Sequence, residues 1–385
     1  VYDKYKVYVV KAGKIVQETV EYNPAFERTV IEIGSNCIDN VWRSSQFGVR
    51  CSAIRFTYKP DGTISFWNDG LTIPIAKSKI EGYTDMYNPT IVFGVFMSST
   101  NYDDSEKRKT SGRNGYGGKL TCTMAKKFTV ETQDEKAGLF FSQTWRENMS
   151  IVEPPQIRSQ VGKGYTKVEW LPDYQRFKMP GLTDGVIGML KKYLYDMAML
   201  VKIPIYINDE LIPVRSLVDY AQSFLEKPTS EIIQITTPTS DVVVAPSRPP
   251  QVVAFTNGIP NPDGGVHVDA WSRAIFTPLT SKLNPKTEEK GPKLTMAEVR
   301  NQFAIFIVCS LDNPTFNSQE KVKLTAPKPE TSLKTSQLNA IMKWSVINRL
   351  KDLLDSKLLR AQKKKMEGTR KSVKNIEKLE DANLA

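Results

Sequence analysis

The sequence predicts an α+β protein with more than one domain, on three observations. β-Branched and aromatic runs come in pairs around short Gly-containing turns, the signature of antiparallel hairpins. Segments with apolar residues at helical spacing lie between those hairpins without the regular strand–helix–strand alternation of a parallel sheet. The chain has 385 residues, 40% hydrophobic and 25% charged, which suffices for more than one hydrophobic core and argues against wholesale disorder.

Residues 1–22 read as a strand pair, VYDKYKVYVV and IVQETVEY, joined by a Lys11-Ala12-Gly13-Lys14 turn. From Pro24 the period changes. Phe26, Val30, Ile33, Cys37 and Val41 fall at helical spacing, with Pro24 near the start where its missing N–H does no harm. Ile54, Phe56 and Tyr58 then alternate against Ile64 and Phe66 across Pro60-Asp61-Gly62, a second hairpin. A polar, glycine-rich stretch follows from Ser98 to Gly118. TKVEWLP and IPIYINDELIPV are further strands, and Gly185 to Val201 has the spacing of a buried helix. Pro/Thr/Ser clusters at Thr236–Ser240 and Pro246–Pro250 suggest strands and loops of a second domain. There QFAIFIVCSL reads as a buried strand, and the Pro-containing stretch Thr325–Glu330 leads into long helices from Gln337 to about Gln362.

The longest apolar run, Phe303 to Cys309, is far short of the ~20 residues of a membrane span, and no membrane partner is expected. No signal peptide is visible at the start of the sequence. Cys37, Cys51, Cys122 and Cys309 have no C-x-x-C spacing. With His267 as the only histidine they do not make a standard zinc site or a disulfide framework, so buried thiols in a reducing compartment are expected. A single histidine also argues against Ser-His-Asp or Cys-His catalysis, and His267 is expected to be structural. The net charge is +11, and Lys334–Lys378 holds thirteen Lys/Arg against four Asp/Glu, so +9 of the excess lies there. Such a tract suits a polyanion such as nucleic acid, or is the solvated face of a helix.

Three constellations carry possible chemistry. On the first helix, Glu32, Asn36 and Asp39/Asn40 share one face. An Asn oxygen can ligate a hard cation such as Mg²⁺ while a Glu one turn away orients or deprotonates a water, although the polar face of a surface helix looks the same. Asn68-Asp69-Gly70 follows a strand; an Asn or Asp there can read a base edge and Gly70 admits backbone close to a ligand, or the segment is an ordinary strand-end turn. Thr110 to Lys119 holds four glycines and then an apolar helix start, so its N–H groups could wrap phosphates, or it is a glycine-rich loop without a ligand. It fits neither the P-loop nor the dinucleotide pattern.

These three, in this order, resemble the ATPase region of type IIA DNA topoisomerases of the eukaryotic and large-DNA-virus kind, within the superfamily that includes Hsp90, MutL and histidine kinases. The resemblance includes NYDD (Asn101–Asp104), SGRNGYGGKL (Ser111–Leu120), KFTVET (Lys127–Thr132), FSQTW (Phe141–Trp145), GGVHVD (Gly264–Asp269), NPTFNSQEK (Asn313–Lys321) and LEDAN (Leu379–Asn383). It implies a GHKL (Bergerat) ATPase α/β sandwich over residues 1–228 and a transducer domain over 229–385, ribosomal-protein-like, with long basic C-terminal helices.

By the same resemblance Glu32 is the general base for ATP hydrolysis and Asn36 the Mg²⁺ ligand, with Asn40 among the nucleotide-binding residues. Asn68 reads the adenine, flanked by Gly70 and Ile73, and Thr166 lies beneath it. Ser99, Thr100 and Asn101 form a nucleotide-contacting segment. Arg113, Asn114, Gly115, Tyr116, Gly117, Gly118 and Lys119 form the phosphate-wrapping lid. Gln319 and Lys321 belong to the transducer's switch loop, whose lysine reaches the γ-phosphate. ATP and Mg²⁺ are the implied cofactors. The implied partners are double-stranded DNA and a second copy of the chain, clamped together on ATP binding, in a nucleus, a viral replication compartment or a virion. The resemblance further implies a chain that starts inside the family's N-terminal region, without its exchanged strap, and stops before the metal-binding and DNA-cleaving domains. A Hsp90- or MutL-like ATP clamp, or a basic DNA-binding module with a vestigial nucleotide site, are the rival readings. Thr72 stands where the family usually has a second glycine, Ser111 replaces a lid glycine, and Gly34 and Ser35 are unusual inside the base-bearing helix.

Overall fold

The computed structural model describes residues 1–95, 117–285, 291–318 and 321–374, with side chains to residue 366. The chain forms two compact units: Val1–Pro228 with Asn257–Ile259 and Ser310–Asn313, and Thr229–Thr256 with Pro260–Cys309 and Pro314–Ala385.

The first unit begins with strands β1 (Asp3–Lys11) and β2 (Lys14–Tyr22), a hairpin in which Val9 faces Val16. Ala12 and Gly13 turn it with positive φ values of 46° and 75°. Helix α1 (Pro24–Gln46) follows, then β3 (Ile54–Tyr58), β4 (Ile64–Asn68), α2 (Asn88–Gly94), α3 (Gly117–Thr123), β5 (Ala125–Asp134), β6 (Leu139–Arg146), β7 (Ile151–Val152), β8 (Gln156–Ser159) and β9 (Tyr165–Pro172). The unit ends with α4 (Tyr174–Phe177), α5 (Asp184–Val201), β10 (Ile205–Ile207), β11 (Glu210–Leu211) and α6 (Leu217–Phe224). A nine-stranded sheet runs β11-β10-β3-β4-β9-β5-β6-β7, with β8 also on β6. Only the β10–β3 pair is parallel.

Helix α1 forms where the apolar stripe predicts it. Asn23 caps it by accepting from Ala25 N at 3.0 Å, and Pro24 opens its first turn. Phe26, Val30 and Ile33 are at most 1% exposed, against a sheet core of Phe56, Phe66, Phe128 and Trp170. Burial of each such side chain contributes about 1.5–3 kcal/mol, so this stripe holds α1 on the sheet. Gly34, costly in a helix by propensity, has a packing reason: a β-carbon there would lie 2.6 Å from Tyr193 Cε1 and Oη. Beside α1, buried Asp196 accepts from Lys192 Nζ at 2.8 Å and Tyr220 Oη at 2.6 Å, tying α5 to α6. Burial pushes the Asp196 carboxyl up, and the lysine opposes that push. Lys14 Nζ donates to the carbonyls of Gln222 and Leu225 at 3.1 and 2.9 Å, which fastens the hairpin turn to the end of α6.

The second unit comprises β12 (Ile233–Thr236), β13 (Ser240–Pro246), β14 (Gln251–Thr256), the Pro260 end of β15 (Ile259–Pro260), α7 (Val266–Leu283), α8 (Met296–Arg300), β16 (Phe303–Cys309), β17 (Thr315–Phe316) and β18 (Leu324–Ala326). Helices α9 (Thr335–Ile341) and α10 (Ser345–Lys374) complete it. A five-stranded sheet runs β12-β13-β16-β14-β15, antiparallel at β13–β16 and parallel at β14–β16. The parallel pair is joined through α7 and α8, a local strand–helix–strand crossover inside an otherwise α+β chain. Central β16 is buried except for half-buried Val308, which explains its unbroken apolar run.

The C-terminal helical region departs from the expected span. It starts at Thr335, breaks between Ile341 and Ser345, and extends to Lys374 instead of about Gln362. Glu231 accepts from Ser345 N at 2.6 Å and Ser345 Oγ at 2.7 Å, so a carboxylate begins α10. Val346, Ile347, Leu350 and Leu354 bury its first turns, whereas residues 359–366 are exposed. Beyond Leu354 the helix continues on the propensity of Lys, Arg, Gln and Leu, which apolar spacing does not reveal.

All four cysteines are free and buried, as expected. His267 is 0% exposed, and among the described residues neither ring nitrogen has a hydrogen-bond partner. Burial holds its imidazole down to about 4 from an ordinary 6.5. A folded pKa below the unfolded one lets the unfolded chain take up the proton first as pH falls. Stability is therefore expected to be full above about pH 6.5 and to decline by on the order of 3 kcal/mol towards pH 4. Urea-unfolding midpoints of the protein and of His267→Leu, measured from pH 7 to 4.5, check this: the variant's midpoint should move much less.

Candidate functional site

Helix α1 sets the frame. Its buried stripe turns Glu32, Asn36 and Asn40 to one face, where Glu32 is half-buried, Asn36 exposed and Asn40 6% exposed. Arg28, one turn before Glu32, pairs with Glu32 Oε1 at 2.6 Å. At its far end, Asn40 Nδ2 donates to Asn68 Oδ1 at 2.7 Å and to Leu71 O at 3.1 Å. Ser44 Oγ donates to Asn40 O at 2.5 Å and accepts from Leu71 N at 2.7 Å. Gly70 makes that approach possible, since a β-carbon there would lie 2.6 Å from Ser44 Oγ and 2.7 Å from Asn40 Nδ2.

Asn68 ends β4 with Nδ2 towards Cys37 Sγ at 3.5 Å. Across the sheet it pairs with Thr166 of β9, whose hydroxyl is 3.2 Å from that of Thr132. Asp69, weighed with Asn68 as a reader of a base edge, has a buried carboxylate that organises the turn instead. It accepts from Ser52 N at 2.7 Å, Ala53 N at 3.2 Å, Ser52 Oγ and Lys163 Nζ, the last at 2.6 Å. Burial alone would raise its pKa; Lys163 and Ser52 overcome that and hold it at about 2.

The third wall is α3, at the end of the glycine-rich stretch. A β-carbon on Gly117 would lie 2.0 Å from Glu32 Oε2, and one on Gly118 3.8 Å from Asn36 Nδ2. Thr121 Oγ1 donates to Thr29 O at 3.1 Å and fastens α3 to α1. Lys119 is 1% exposed, and burial lowers its pKa. Thus Glu32, Asn36, Asn40, Asn68, Gly117 and Gly118 come together, with Lys119 enclosed in the same short helix. Ser99, Thr100, Asn101, Arg113, Asn114, Gly115, Tyr116 and Gln319 lie outside the described residues.

Among the described residues no group of three or more His, Cys, Asp or Glu side chains could hold a metal ion. A single carboxamide oxygen at Asn36 still fits Mg²⁺, which takes few protein ligands and fills its shell with waters and phosphate oxygens. Arg28 and Tyr193 escaped the sequence reading. Arg28 at four residues before Glu32 was a legible signal; Tyr193 had none.

In the second unit Lys321 lies in a braced loop. Asn261 Nδ2 donates to Lys321 O at 2.9 Å, Asp263 N to Val322 O at 3.1 Å, and Leu324 N to Gly264 O at 3.0 Å. Lys321 itself has φ +59°. A β-carbon on Gly265 would lie 2.1 Å from Leu324 O, so the Gly264-Gly265 turn and the strand that begins at Leu324 are two halves of one local structure.

The chain is similar to known proteins over most of its length. A sequence model of the DNA gyrase B family matches residues 214–373. DNA topoisomerase 2 of Invertebrate iridescent virus 6 is 32% identical over 91% of this chain and 32% of its own length. Human DNA topoisomerase 2-alpha is 31% identical over 95% of this chain and 24% of its own. The chain therefore spans about a third or less of the length of these relatives. Among solved structures, the ATPase region of Saccharomyces cerevisiae topoisomerase II superposes with a TM-score of 0.79 at 30% identity, covering 92% of each chain. The ATPase and transducer domains of DNA topoisomerase II from Balamuthia mandrillaris give 0.79 at 31% identity, again covering 92% of each. With its GHKL-type sandwich and following transducer-type fold, the chain belongs to the family of type IIA DNA topoisomerase ATPase regions of the eukaryotic and large-DNA-virus kind.

Proposed function

We propose that the chain binds ATP with Mg²⁺ and hydrolyses it, and that in the whole protein this drives closure of a homodimeric clamp and passage of double-stranded DNA. The observation that carries the reading is the placing of Glu32 and Asn36 one turn apart on α1, with Asn68 beyond one end and Gly117 on the Glu32 carboxylate. Glu32 then polarises the attacking water as general base. Asn36 would hold Mg²⁺ through its carboxamide oxygen, where the ion would offset phosphate charge, and Asn68 would hold the base. Residues 1–228 act as the ATP-binding domain and 229–385 as the transducer, with Lys321 as the cation that senses the terminal phosphate. The cellular setting that suits this work is a nucleus or a viral replication compartment.

Removing a general base should slow the chemical step more than it weakens binding. Glu32→Ala is expected to lower kcat for ATP by about 100-fold or more. Its nucleotide affinity should stay within about threefold of the parent's. Phosphate release and fluorescent-nucleotide binding measure the two; hydrolysis at the parental rate would remove Glu32 from this role. Lys321→Ala is expected to lower kcat also, since a charge-assisted bond to a phosphate contributes about 1.5–3 kcal/mol. An unchanged kcat makes Lys321 a structural lysine of its loop.

The exposed tract of α10 gives the DNA reading its own test. Lys363, Lys364 and Lys365 are solvent-exposed, and each phosphate contact adds about 0.9 to the slope of log affinity against log salt. Reversing all three to Glu should flatten that slope by up to about 3 in duplex-binding titrations. An unchanged slope means that this helix face meets only solvent.

A further inference from the structure

Gly34 is on the opposite side of α1 from the residues assigned to chemistry. At 100° per residue it lies about 200° around the helix from both Glu32 and Asn36. The notch left by its missing side chain is filled by Tyr193 of α5, whose Cε1 and Oη would each be 2.6 Å from a β-carbon at that position. The Tyr193 hydroxyl donates to Ile31 O at 3.1 Å, the carbonyl immediately before Glu32. The Ser35 side chain hydrogen-bonds to the same hydroxyl. One phenol therefore engages backbone and side chain on the turn Ile31–Ser35, from behind. Burial pushes its pKa upwards, so it remains a neutral donor throughout the working pH range.

A carbonyl inside a helix already accepts from the N–H four residues on, so an extra donor on Ile31 O makes a shared acceptor and fixes that turn's rotation about the helix axis. A side chain lodged in a glycine notch adds close contact that tolerates little sliding, because packed interiors leave few voids. Rotation of the turn would carry Glu32 and Asn36 with it. General-base and metal-ligand geometry are sensitive to displacements of an ångström or less.

We infer that Tyr193 is a positioning residue for ATP hydrolysis: seated in the Gly34 notch and bonded to Ile31 and Ser35, it sets the rotation of the α1 turn that presents Glu32 and Asn36. The inference rests on the reading of Glu32 as general base. Gly34 and Tyr193 act as a pair, which accounts for a glycine where helix propensity alone would favour alanine.

The test uses the whole 385-residue chain and four variants: Tyr193→Phe, Gly34→Ala, Gly34→Ala with Tyr193→Leu, and Glu32→Ala. Tyr193→Phe keeps the ring and loses only the hydroxyl. It is expected to lower kcat by roughly tenfold with KM for ATP changed by less than about twofold, and to retain the parental Tm. Gly34→Ala evicts the ring and is expected to lower kcat at least as far, although alanine is the better helix former. Adding Tyr193→Leu makes room and should recover part of that loss, a coupling that independent sites would not show. The inference is overturned if Tyr193→Phe turns over at the parental rate, if its loss merely follows a fall in Tm, or if the double variant is no better than Gly34→Ala. Glu32→Ala keeps the two readings apart: activity retained there sinks the assignment of the base, whereas activity lost there but kept in Tyr193→Phe sinks only the positioning role.

Discussion

Asn40 Nδ2 meets Asn68 Oδ1 across 2.7 Å with both residues buried, and this bond joins the helix that carries Glu32 and Asn36 to the strand end assigned to the base. An intramolecular hydrogen bond contributes only about 1 kcal/mol net, but a buried amide left without its partner costs about 1–3 kcal/mol. The constraint thus acts by penalising every arrangement in which α1 and β4 separate. Around it the same logic repeats with Leu71 and Ser44, and Gly70 is the residue whose small size lets the two backbones come that close. Apolar burial along α1 supplies most of the adhesion, while the amide pair sets the register.

Asp69 extends the constraint outward. Its carboxylate is shared among two backbone N–H groups, a hydroxyl and an ammonium, so the turn after Asn68 cannot shift without losing charge-assisted bonds. The Lys163 end of that set is exposed and contributes little by attraction alone. The buried end is different, because a carboxylate there without donors would be strongly disfavoured. Within the other unit the loop of Lys321 is treated alike: backbone bonds from Asp263 and Leu324 and the Asn261 side chain pin a residue held at positive φ.

Much of this was legible before the structure. The period of Phe26, Val30, Ile33, Cys37 and Val41 gave α1 its buried side and left Glu32, Asn36 and Asn40 to share the other, and the structure keeps that division. Hairpins flanking Gly13 and Gly62 were equally plain, since a tight turn writes itself in local residues. Contacts between residues distant in sequence were not legible. Nothing near Gly34 reports Tyr193, and nothing near Asp69 reports Lys163. The length of α10 was missed for the opposite reason: its distal turns bury nothing, so they carry no apolar period to read.

The departure at Thr72 shows how such distant compensation works. The resemblance put a glycine there, and a threonine adds a β-carbon and a methyl beside the assigned base site. The methyl is directed towards Gly164, where a β-carbon would stand 3.0 Å from Thr72 Cγ2, closer than packed atoms comfortably allow. Gly164 immediately precedes Tyr165 and Thr166 on β9, the strand that pairs with Asn68. Gly164 N also donates to Glu135 Oε2 at 3.1 Å, so the Glu135 carboxylate holds its backbone in place. Volume gained at the turn after β4 is thereby matched by volume withheld at the start of the neighbouring strand. The turn keeps its place against α1, as the bonds from Ser44 and Asn40 to Leu71 require, and Thr72 alters the shape of the site without loosening the helix that carries its chemistry.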